Sequence, residues 1–415
     1  MGKLIITLKQ HTPLIHFQGD QDGATIRATE FKPKLDKFLI EHAFSGGFEE
    51  YKQYLIGYKD LKTEEDFKDK KSFNYKLKFY NVVNLKKSDI KKDFPFYFNN
   101  IATNKFVYCD SLDLEIFSLN ELFLEIILKS LPDFLMNHNF GQRQSKGFGS
   151  FFINDQNKYQ INNNEKYYDK NYIKNLKSGF YIKLHNYQNK KEIQNQPLFY
   201  NEAREIFNNA EIIYTKIRRG GQKSDSYIKQ YAENKHMIWD KDAIRHRFIN
   251  KNDDLIDNAY LIKDLLGLSI NELWKDNCNK EFFVKKEMCD CKNEDKIERM
   301  ESPIFFKLLK DEKGAFNIYI KVKDIPKDFF DKKFKIIKYM KISGEKIDEF
   351  KLSTPKMEQF NIHDFFEFVK CKENIGTPSN KDKNNSIKLK LSSSIEDSMD
   401  PLTLQKLKSF KLDPL

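Results

Sequence analysis

Apolar and polar positions in the first 155 residues follow two different periods. Apolar residues at alternate positions predict strands in four segments: GKLIITLKQ (2–10), YKLKFYNVVNL (75–85), NKFVYCDSL (104–112) and GSFFIN (149–154). Two other segments, 29–42 and 118–136, carry apolar residues at helical spacing. The predicted order is therefore strand, helix, two strands, helix, strand.

Both predicted helices have identifiable starts. In TEFKPKLDKFLIEH, Thr29 is the candidate N-cap and Pro33 falls in the first turn, where proline is tolerated. The second helix opens with Ser118, followed three residues later by Glu121, which is a capping-box pattern. Pro132 marks its end or a kink near it, and its nearly all-round apolar surface indicates a buried helix.

This order of elements is that of a ferredoxin-like, or RRM-like, domain, in which two helices cover one face of an antiparallel sheet. The second half of the chain also mixes helices and strands. It predicts a helix at about 199–217, two strands within 302–324 joined by a turn at 311–314, and a helix at 361–370. We therefore predict an α+β protein with two ferredoxin-like (RRM-like) domains and helical insertions.

Changes in composition indicate where these domains end. Residues 156–197 are rich in Asn, Lys, Gln and Tyr, which is typical of an irregular connection or insertion. The predicted organisation is a ferredoxin-like domain with a Gly-rich loop at 1–155, this connection, a second ferredoxin-like domain with a basic helical insertion at 198–371, and a flexible tail at 372–415.

The net charge of +11 favours an acidic partner, although a general bias toward lysine would produce the same excess. Only eight of the 72 basic residues are arginine, so arginine marks positions where planar, bidentate contact with phosphate would be wanted. Four of the eight lie between residues 218 and 247, and two others are Arg27 and Arg143.

The sequence GQRQSKGFGS at 141–150 is a candidate anion site. Gly141, Gly147 and Gly149 permit positive φ and close approach of another backbone, while Arg143 and Lys146 supply positive charge. The alternative is that the glycines form an ordinary turn from helix to strand and that both cations face water.

A second group of cations begins at the end of the predicted 199–217 helix. Its members could pair with phosphates, and the aromatic residues between them could stack on bases: Arg218, Arg219, Lys223, Lys229, Arg245 and Arg247, interleaved with Tyr227, Tyr231 and Trp239. The alternatives are structural. Arg218 and Arg219 can complement the dipole at the helix end, and most of the aromatic residues can pack between helices.

Few residues point to other chemistry. The five cysteines form no disulfide framework, and the spacing of Cys278, Cys289 and Cys291 matches no common zinc pattern, so we expect no metal and no cofactor. Asp20 and Asp22 lie in GDQDG, which is more typical of a turn than of a metal-dependent nuclease site. The polar N-terminus and the absence of a long apolar run predict a soluble, cytoplasmic protein without a membrane partner.

Together these motifs resemble the RAMP superfamily of CRISPR proteins, whose ferredoxin-like domains carry a Gly-rich loop between the last helix and the last strand. The stretch HTPLIHFQGDQDGATIRATEFKPKL (11–35) is similar to the N-terminal signature of the first-subunit family of the type III-B, or Cmr, effector complex. Three later stretches are similar to parts of the second half of that family: RRGGQ (218–222), YIKQYAENKHMIWDK (227–241) and SPIFFKLL (302–309). The chain departs from that family after Arg27, which weakens the carry-over to Lys32 and Lys34.

The resemblance implies a non-catalytic RNA-binding subunit of a crRNA-guided complex in antiviral defence. It would hold the 3′ region of the crRNA and the incoming target RNA, beside other RAMP subunits. Base pairing would supply specificity, so Arg27, Arg143, Lys146 and the cations at 218–247 would contact the RNA backbone, with Gly147 and Gly149 allowing close approach.

Two other functions stay open. One is a RAMP endoribonuclease that processes precursor crRNA and uses His16 or His11 as general acid or base. The other is a backbone subunit of another type III complex.

Overall fold

The structure is a computed structural model that describes residues 2–16, 25–60, 63–67, 71–91, 94–95, 105–154, 158–161, 164–167, 180–184, 198–221, 224–252, 254, 257–289, 297–310, 316–372, 387–388 and 411–413. Its contacts divide the chain into two compact units. Met1–Ala210 and Phe306–Lys321 form the first, which we call the N-terminal unit. Glu211–Phe305 and Val322–Pro414 form the second, the C-terminal unit.

Helices and strands alternate irregularly up to residue 218. They are β1 (Gly2–Gln10), β2 (Leu14–His16), α1 (Ala28–His42), α2 (Phe48–Tyr51), α3 (Glu64–Phe67), β3 (Tyr75–Val83), β4 (Lys86–Asp89), β5 (Lys105–Tyr108), β6 (Ser111–Ser118), α4 (Glu121–Asn137), β7 (Phe151–Ile153), β8 (Lys158–Ile161), β9 (Asn164–Tyr167), β10 (Phe180–Leu184) and α5 (Leu198–Arg218).

Strands predominate after residue 218. The elements are α6 (Tyr227–Asn234), β11 (Ile238–Trp239), α7 (Asp240–Phe248), β12 (Ala259–Tyr260), β13 (Asn271–Lys275), β14 (Glu281–Met288), β15 (Ile304–Lys310), β16 (Phe316–Val322), β17 (Lys333–Met340), β18 (Lys346–Ser353), α8 (Ile362–Lys372), β19 (Ile387–Lys388) and β20 (Lys411–Asp413). The α+β class predicted from the sequence is confirmed.

An antiparallel sheet organises the N-terminal unit, with β1 between β6 and β7 and with β3 on the outer side of β6. Alternate residues of β1 and β6 are buried, and helices α1 and α4 pack on that face with Phe31, Leu35, Leu124 and Ile127. The strand order β3-β6-β1-β7 is compatible with a ferredoxin-like arrangement. The existence of two such domains stays a prediction.

Both predicted helix starts were wrong. Ser118 is the last residue of β6, paired with Gly2 and Tyr75, so it cannot cap the helix. The N-cap of α4 is Asn120, whose side chain accepts the Phe123 N–H at 3.1 Å. Helix α1 starts one residue before Thr29 and has no side-chain cap.

The helix predicted at 118–136 ends within one residue of the observed end of α4 at Asn137, and Pro132 lies inside the helix and does not end it. Other predicted elements are confirmed. Helix α5 spans Leu198–Arg218, Gly220 behind it has φ +74°, and β15 and β16 fall where strands were predicted. The turn predicted at 311–314 lies outside the described residues.

A mixed sheet in the order β11-β12-β18-β17-β14-β13 forms the centre of the C-terminal unit. The two strands predicted within 302–324 were assigned to the second domain, whereas residues 306–321 belong to the N-terminal unit. One face of the mixed sheet, which we call the inner face, carries α7: the rings of Phe248 and Phe350 lie 5.2 Å apart, and Arg247 pairs with Asp348.

The inner face also holds a buried cluster of charges. Lys286 and Asp264 are fully buried, with Nζ and Oδ2 at 2.6 Å. Glu272 accepts from Lys263 at 2.8 Å and from Lys286 at 3.3 Å. Burial and the charge of Asp264 raise the pKa of Asp240 to about 6. Lys263 and Lys286, the two buried lysines of this cluster, therefore each have a carboxylate partner, which offsets the cost of burying their charge.

Replacing Asn120 by alanine should destabilise the protein by about 1 kcal/mol, because the Phe123 N–H loses its acceptor. Urea unfolding followed by circular dichroism measures the change. Thr29→Ala is the matched control and should change the free energy of unfolding by less than about 0.5 kcal/mol. A larger loss for Thr29→Ala than for Asn120→Ala would contradict the assignment of the cap.

Candidate nucleic-acid interface

The Gly-rich loop connects α4 to β7 within the N-terminal unit. Arg143 has left-handed backbone angles, φ 56° and ψ 37°, and is followed by a 3-10 turn at Gln144–Lys146. Gly147, with φ 92°, ends that turn. Non-glycine residues rarely adopt such angles, so the conformation at Arg143 must be held by its surroundings.

The glycines of the loop are required because the chain packs against itself. A Cβ on Gly149 would lie 1.9 Å from the carbonyl oxygen of Phe140, and one on Gly141 would lie 2.6 Å from that of Ile15. Both residues also have positive φ. The space left by the missing side chains of these glycines is therefore occupied by other backbone segments of the same protein.

The amides of the same glycines donate to acceptors inside the protein. Gly141 donates to both carboxylate oxygens of Glu30 at 3.0 and 3.1 Å, and Gly149 donates to the Pro13 carbonyl at 2.9 Å. The Gly147 N–H closes the 3-10 turn. A phosphate at this loop would therefore meet the side chains of the loop before its glycine amides.

Thr12 holds the far end of the loop. Its hydroxyl donates to the Gly147 carbonyl at 2.7 Å and accepts the Ser150 N–H at 2.9 Å. The N–H of His11 donates to the Ser150 carbonyl at 2.8 Å. Thr12 and Pro13 are among the residues that carried the family resemblance, and here they fix the conformation of the Gly-rich loop.

Four residues that were not predicted as site residues also fix the loop. Lys34 Nζ lies 2.7 Å from Glu30 and donates to Gln144 Oε1 at 2.8 Å. Asn139 donates to the carbonyls of Gln144 and Phe306 at 2.7 and 2.9 Å. The sequence showed Glu30 and Lys34 at helical spacing, but nothing in it indicated their contact with residues more than 100 positions away.

Lys307 also holds the loop and was not predicted from the sequence. Its buried ammonium group donates to the carbonyls of His138 and Phe151 at 2.8 and 2.9 Å and contacts Asn139 Oδ1 at 3.2 Å. Burial lowers its pKa well below the ordinary value. A lysine inside the apolar run IFFKLL was the available signal, since such a residue must be hydrogen-bonded when it is buried.

Arg27 lies at the same end of the N-terminal unit. It precedes the first turn of α1, and its side chain is half-buried. Burial lowers the pKa of His16, the charge of Arg27 lowers it further, and Glu30 acts in the opposite direction. Because Glu30 also binds the Gly141 amide, these interactions place Arg27 and His16 near the Gly-rich loop.

The N-terminal unit thus contains half of the residues predicted to bind RNA: Arg27, Gly141, Arg143, Lys146, Gly147 and Gly149. Lys223 lies outside the described residues. The other five belong to the C-terminal unit: Arg218, Arg219, Lys229, Arg245 and Arg247. A continuous track through both sets stays a prediction.

Arg218, Lys229 and Arg247 contact groups of the protein itself. Arg218 donates to the Tyr214 hydroxyl at 3.0 Å and to a backbone carbonyl. Lys229 lies within 4 Å of three carboxylates, at 3.1, 3.3 and 3.7 Å. Arg247 makes two hydrogen bonds with Asp348. The side chains of Arg219 and Arg245 are exposed, which suits an external ligand better.

The packing alternative is confirmed for two of the aromatic residues. Tyr231 is buried, with its ring 5.6 and 5.4 Å from those of Phe360 and Phe365, and Trp239 is also buried.

No metal centre is apparent in the part of the chain that the structure describes: it contains no group of three or more His, Cys, Asp or Glu able to hold an ion. Cys278 is exposed and Cys289 is buried. Cys291, Asp20 and Asp22 fall outside the described residues. None of the described helices is long and apolar enough to cross a membrane.

Two family models match the chain over nearly its whole length. Residues 1–221 match the Cmr1 N-terminal domain, and residues 223–393 match the Cmr1 C-terminal domain. No curated protein gives a significant match. This chain is a RAMP protein. It belongs to the Cmr1 family, which confirms the resemblance stated from the sequence.

Solved structures give weaker similarities. The crystal structure of Cmr1 from Pyrococcus furiosus in its apo form is 11% identical, with coverage of 90% of this chain and 97% of that chain and a TM-score of 0.35. A chain in the cryo-EM structure of the type III-B Cmr-beta complex bound to cognate target RNA is 14% identical, with a TM-score of 0.27. That match covers 39% of this chain and 60% of the other. The family assignment rests on the two domain models.

Replacing Gly149 by alanine should destabilise the protein by about 2 to 4 kcal/mol, because the new methyl group clashes with the Phe140 carbonyl at an unfavourable φ. Gly344 has a similar φ of +69° and nothing within 4 Å of an added Cβ. Gly344→Ala should therefore cost only about 1 kcal/mol. Urea unfolding measures both, and equal losses would show that the close approach at Gly149 contributes nothing.

Acid should destabilise the N-terminal unit through His11. Its Nδ1 accepts the Lys310 N–H at 2.7 Å, and burial together with nearby lysines lowers its pKa well below the ordinary value. The unfolded chain therefore binds a proton below about pH 6.5 that the folded chain does not bind, and stability falls as the pH drops through that value.

His11→Asn keeps an acceptor but removes the titration, so it should reduce the loss of thermal stability between pH 7.5 and 5.5. Thermal unfolding at several pH values measures this difference. An unchanged pH dependence would show that the protonation of His11 is not linked to unfolding.

Proposed function

We propose that this Cmr1-family protein is a non-catalytic RNA-binding subunit of a type III-B, or Cmr, CRISPR effector complex. In this proposal it holds the 3′ region of the crRNA and the incoming target RNA beside other RAMP subunits. Membership of the Cmr1 family supports a place in such a complex. The Gly-rich loop supports the proposed RNA contacts.

The observation that carries the proposal is the division of roles within that loop. The amides of Gly141, Gly147 and Gly149 are satisfied inside the protein, while Arg143 precedes the 3-10 turn and Lys146 is its last residue. The backbone therefore acts as a rigid support for two cationic side chains. Such an arrangement suits the phosphates of an RNA strand, whose sequence the protein need not read.

A role without catalysis fits the surroundings of the two histidines weighed as general acid or base. His11 and His16 are 5% and 3% exposed. The Nδ1 atom of His11 is occupied by a backbone N–H, and burial lowers the pKa of both rings. A general base needs contact with the proton that it removes, which these positions do not favour.

Removing the two loop cations should weaken binding of single-stranded RNA and flatten its salt dependence. Arg143→Gly suits this test, since glycine adopts the left-handed backbone without strain. Combined with Lys146→Ala, it should reduce the slope of log K against log salt by about 1.4, because about 0.7 is lost for each phosphate contact on a single strand. Fluorescence anisotropy with a labelled RNA at several salt concentrations measures the slope.

The matched control is Lys37→Ala combined with Lys78→Ala, which also removes two charges from the N-terminal unit. Both side chains are well exposed, at 77% and 63%. This variant should leave the slope nearly unchanged, and equal slopes for the two double variants would refute the role of the loop. Incubating the full chain with precursor crRNA and a chelator tests for catalysis. Cleavage that His16→Ala abolishes would overturn the non-catalytic assignment.

A further inference from the structure

The mixed sheet of the C-terminal unit has one face on which large apolar side chains are exposed, although Ile337 of β17 is buried there. Along β14, Phe282 and Val284 point to the inner face and are buried, whereas Phe283 between them is 39% exposed. Leu273 on β13 is 52% exposed. We call the face that carries Leu273 and Phe283 the outer face of this sheet.

An apolar row crosses three strands of the outer face. Leu273 pairs directly with Phe283, and Phe283 pairs with Tyr339 on β17. Directly opposed residues in an antiparallel sheet have Cβ atoms about 5 Å apart, so Phe283 and Tyr339 are neighbours on the same face of the sheet. Leu273 and Phe283 leave much of their apolar surface in water, and Tyr339 beside them is half-buried. Covering this surface would gain hydrophobic free energy.

The register places charged residues around this row, and lysine is in excess. The same face carries six lysines and three glutamates: Lys275, Lys285, Lys333, Lys335, Lys346 and Lys351, and Glu281, Glu287 and Glu349. Three of the lysines pair with the three glutamates, at 3.6, 2.6 and 2.8 Å, so the number of lysines still exceeds that of glutamates by three. A hydrogen bond from Lys346 lowers the pKa of Glu349, and the charges of Lys335 and Lys351 add to this effect. The surroundings of the aromatic row are therefore positively charged.

The chemistry of the row distinguishes between two kinds of partner. A stable protein interface buries about 1,600 Å² around an apolar centre, which three side chains bordered by charges do not provide. Single-stranded nucleic acid needs less: aromatic rings on which bases stack, and cations beside them for phosphates. Adjacent aromatic residues on an open sheet provide such a stacking surface.

We propose that the outer face of this sheet binds single-stranded RNA, with bases stacked on Phe283 and Tyr339 and with phosphates near the surrounding lysines. This site lies in the C-terminal unit and is separate from the Gly-rich loop on which the proposed function rests. Stacking of this kind accepts any base, because every base offers a planar face.

The test uses the full chain and a fluorescein-labelled decauridine RNA. Phe283→Ala combined with Tyr339→Ala should weaken binding roughly tenfold or more, because both stacking partners are lost. Phe283→Tyr retains a ring and should bind nearly as the original protein does. Ile342→Ala combined with Met357→Ala removes two other exposed apolar side chains of the same unit and should leave the affinity unchanged. Thermal unfolding checks that all variants are folded.

A second measurement reports the stacking itself. In Phe283→Trp, a tryptophan replaces the central ring, and its fluorescence should be quenched by decauridine but not by inorganic polyphosphate, which has charge without bases. Quenching should persist when Arg143→Gly and Lys146→Ala are added, since these change the other unit. This result would support the sheet site even if the role of the Gly-rich loop failed.

Three outcomes would overturn the inference. The first is an unchanged affinity for decauridine in the double alanine variant. The second is an absence of quenching in Phe283→Trp when decauridine is bound. The third is a double alanine variant that binds RNA normally but no longer assembles with other subunits, which would identify the outer face as a protein contact.

Discussion

The ammonium group of Lys307 joins the segments from which the Gly-rich loop is built. It donates to the end of α4 at His138, to the side chain of Asn139 at the start of the loop, and to Phe151 at the start of β7. The three N–H donors of this buried group are thus bound by three oxygen acceptors. These hydrogen bonds offset the large cost of burying an ammonium group. The loop can keep a strained residue such as Arg143 only because both of its ends are fixed in this way.

That rigidity determines what the loop can offer to a ligand. In many anion-binding loops the glycine amides point outward and bind phosphate directly. In this protein the carboxylate of Glu30 already binds the Gly141 amide, and a backbone carbonyl binds that of Gly149. The anion-binding capacity of the backbone is used to stabilise the fold. In the proposed function, the loop would therefore contact RNA through the charges of its side chains, which can bind a phosphate backbone without reading bases.

The sequence predicted elements whose signal is local and missed those that depend on distant contacts. The alternating apolar residues of β1 and the apolar stripe of α5 were sufficient to predict these two elements, because the spacing of the apolar residues matches the face that is buried. The capping box at Ser118 failed because pairing with Gly2 and Tyr75 extends β6 to that residue, and no local pattern shows such pairing. The Gly-rich loop was recognised by its glycines, but the residues that hold it, Lys34 and Lys307, come from segments far away in the chain.

The apolar row on the outer face of the mixed sheet could not be predicted from the sequence, for a related reason. In EFFVKKEM, Phe282 and Phe283 look alike, yet one faces the core and the other faces away from it. Only the register with β13 and β17 shows that Phe283 stands beside Leu273 and Tyr339. A protein that leaves sequence recognition to base pairing needs surfaces that hold RNA without selecting bases. Cations for phosphates and rings for base faces both meet that requirement, and neither occupies the base edges through which a guide pairs with its target.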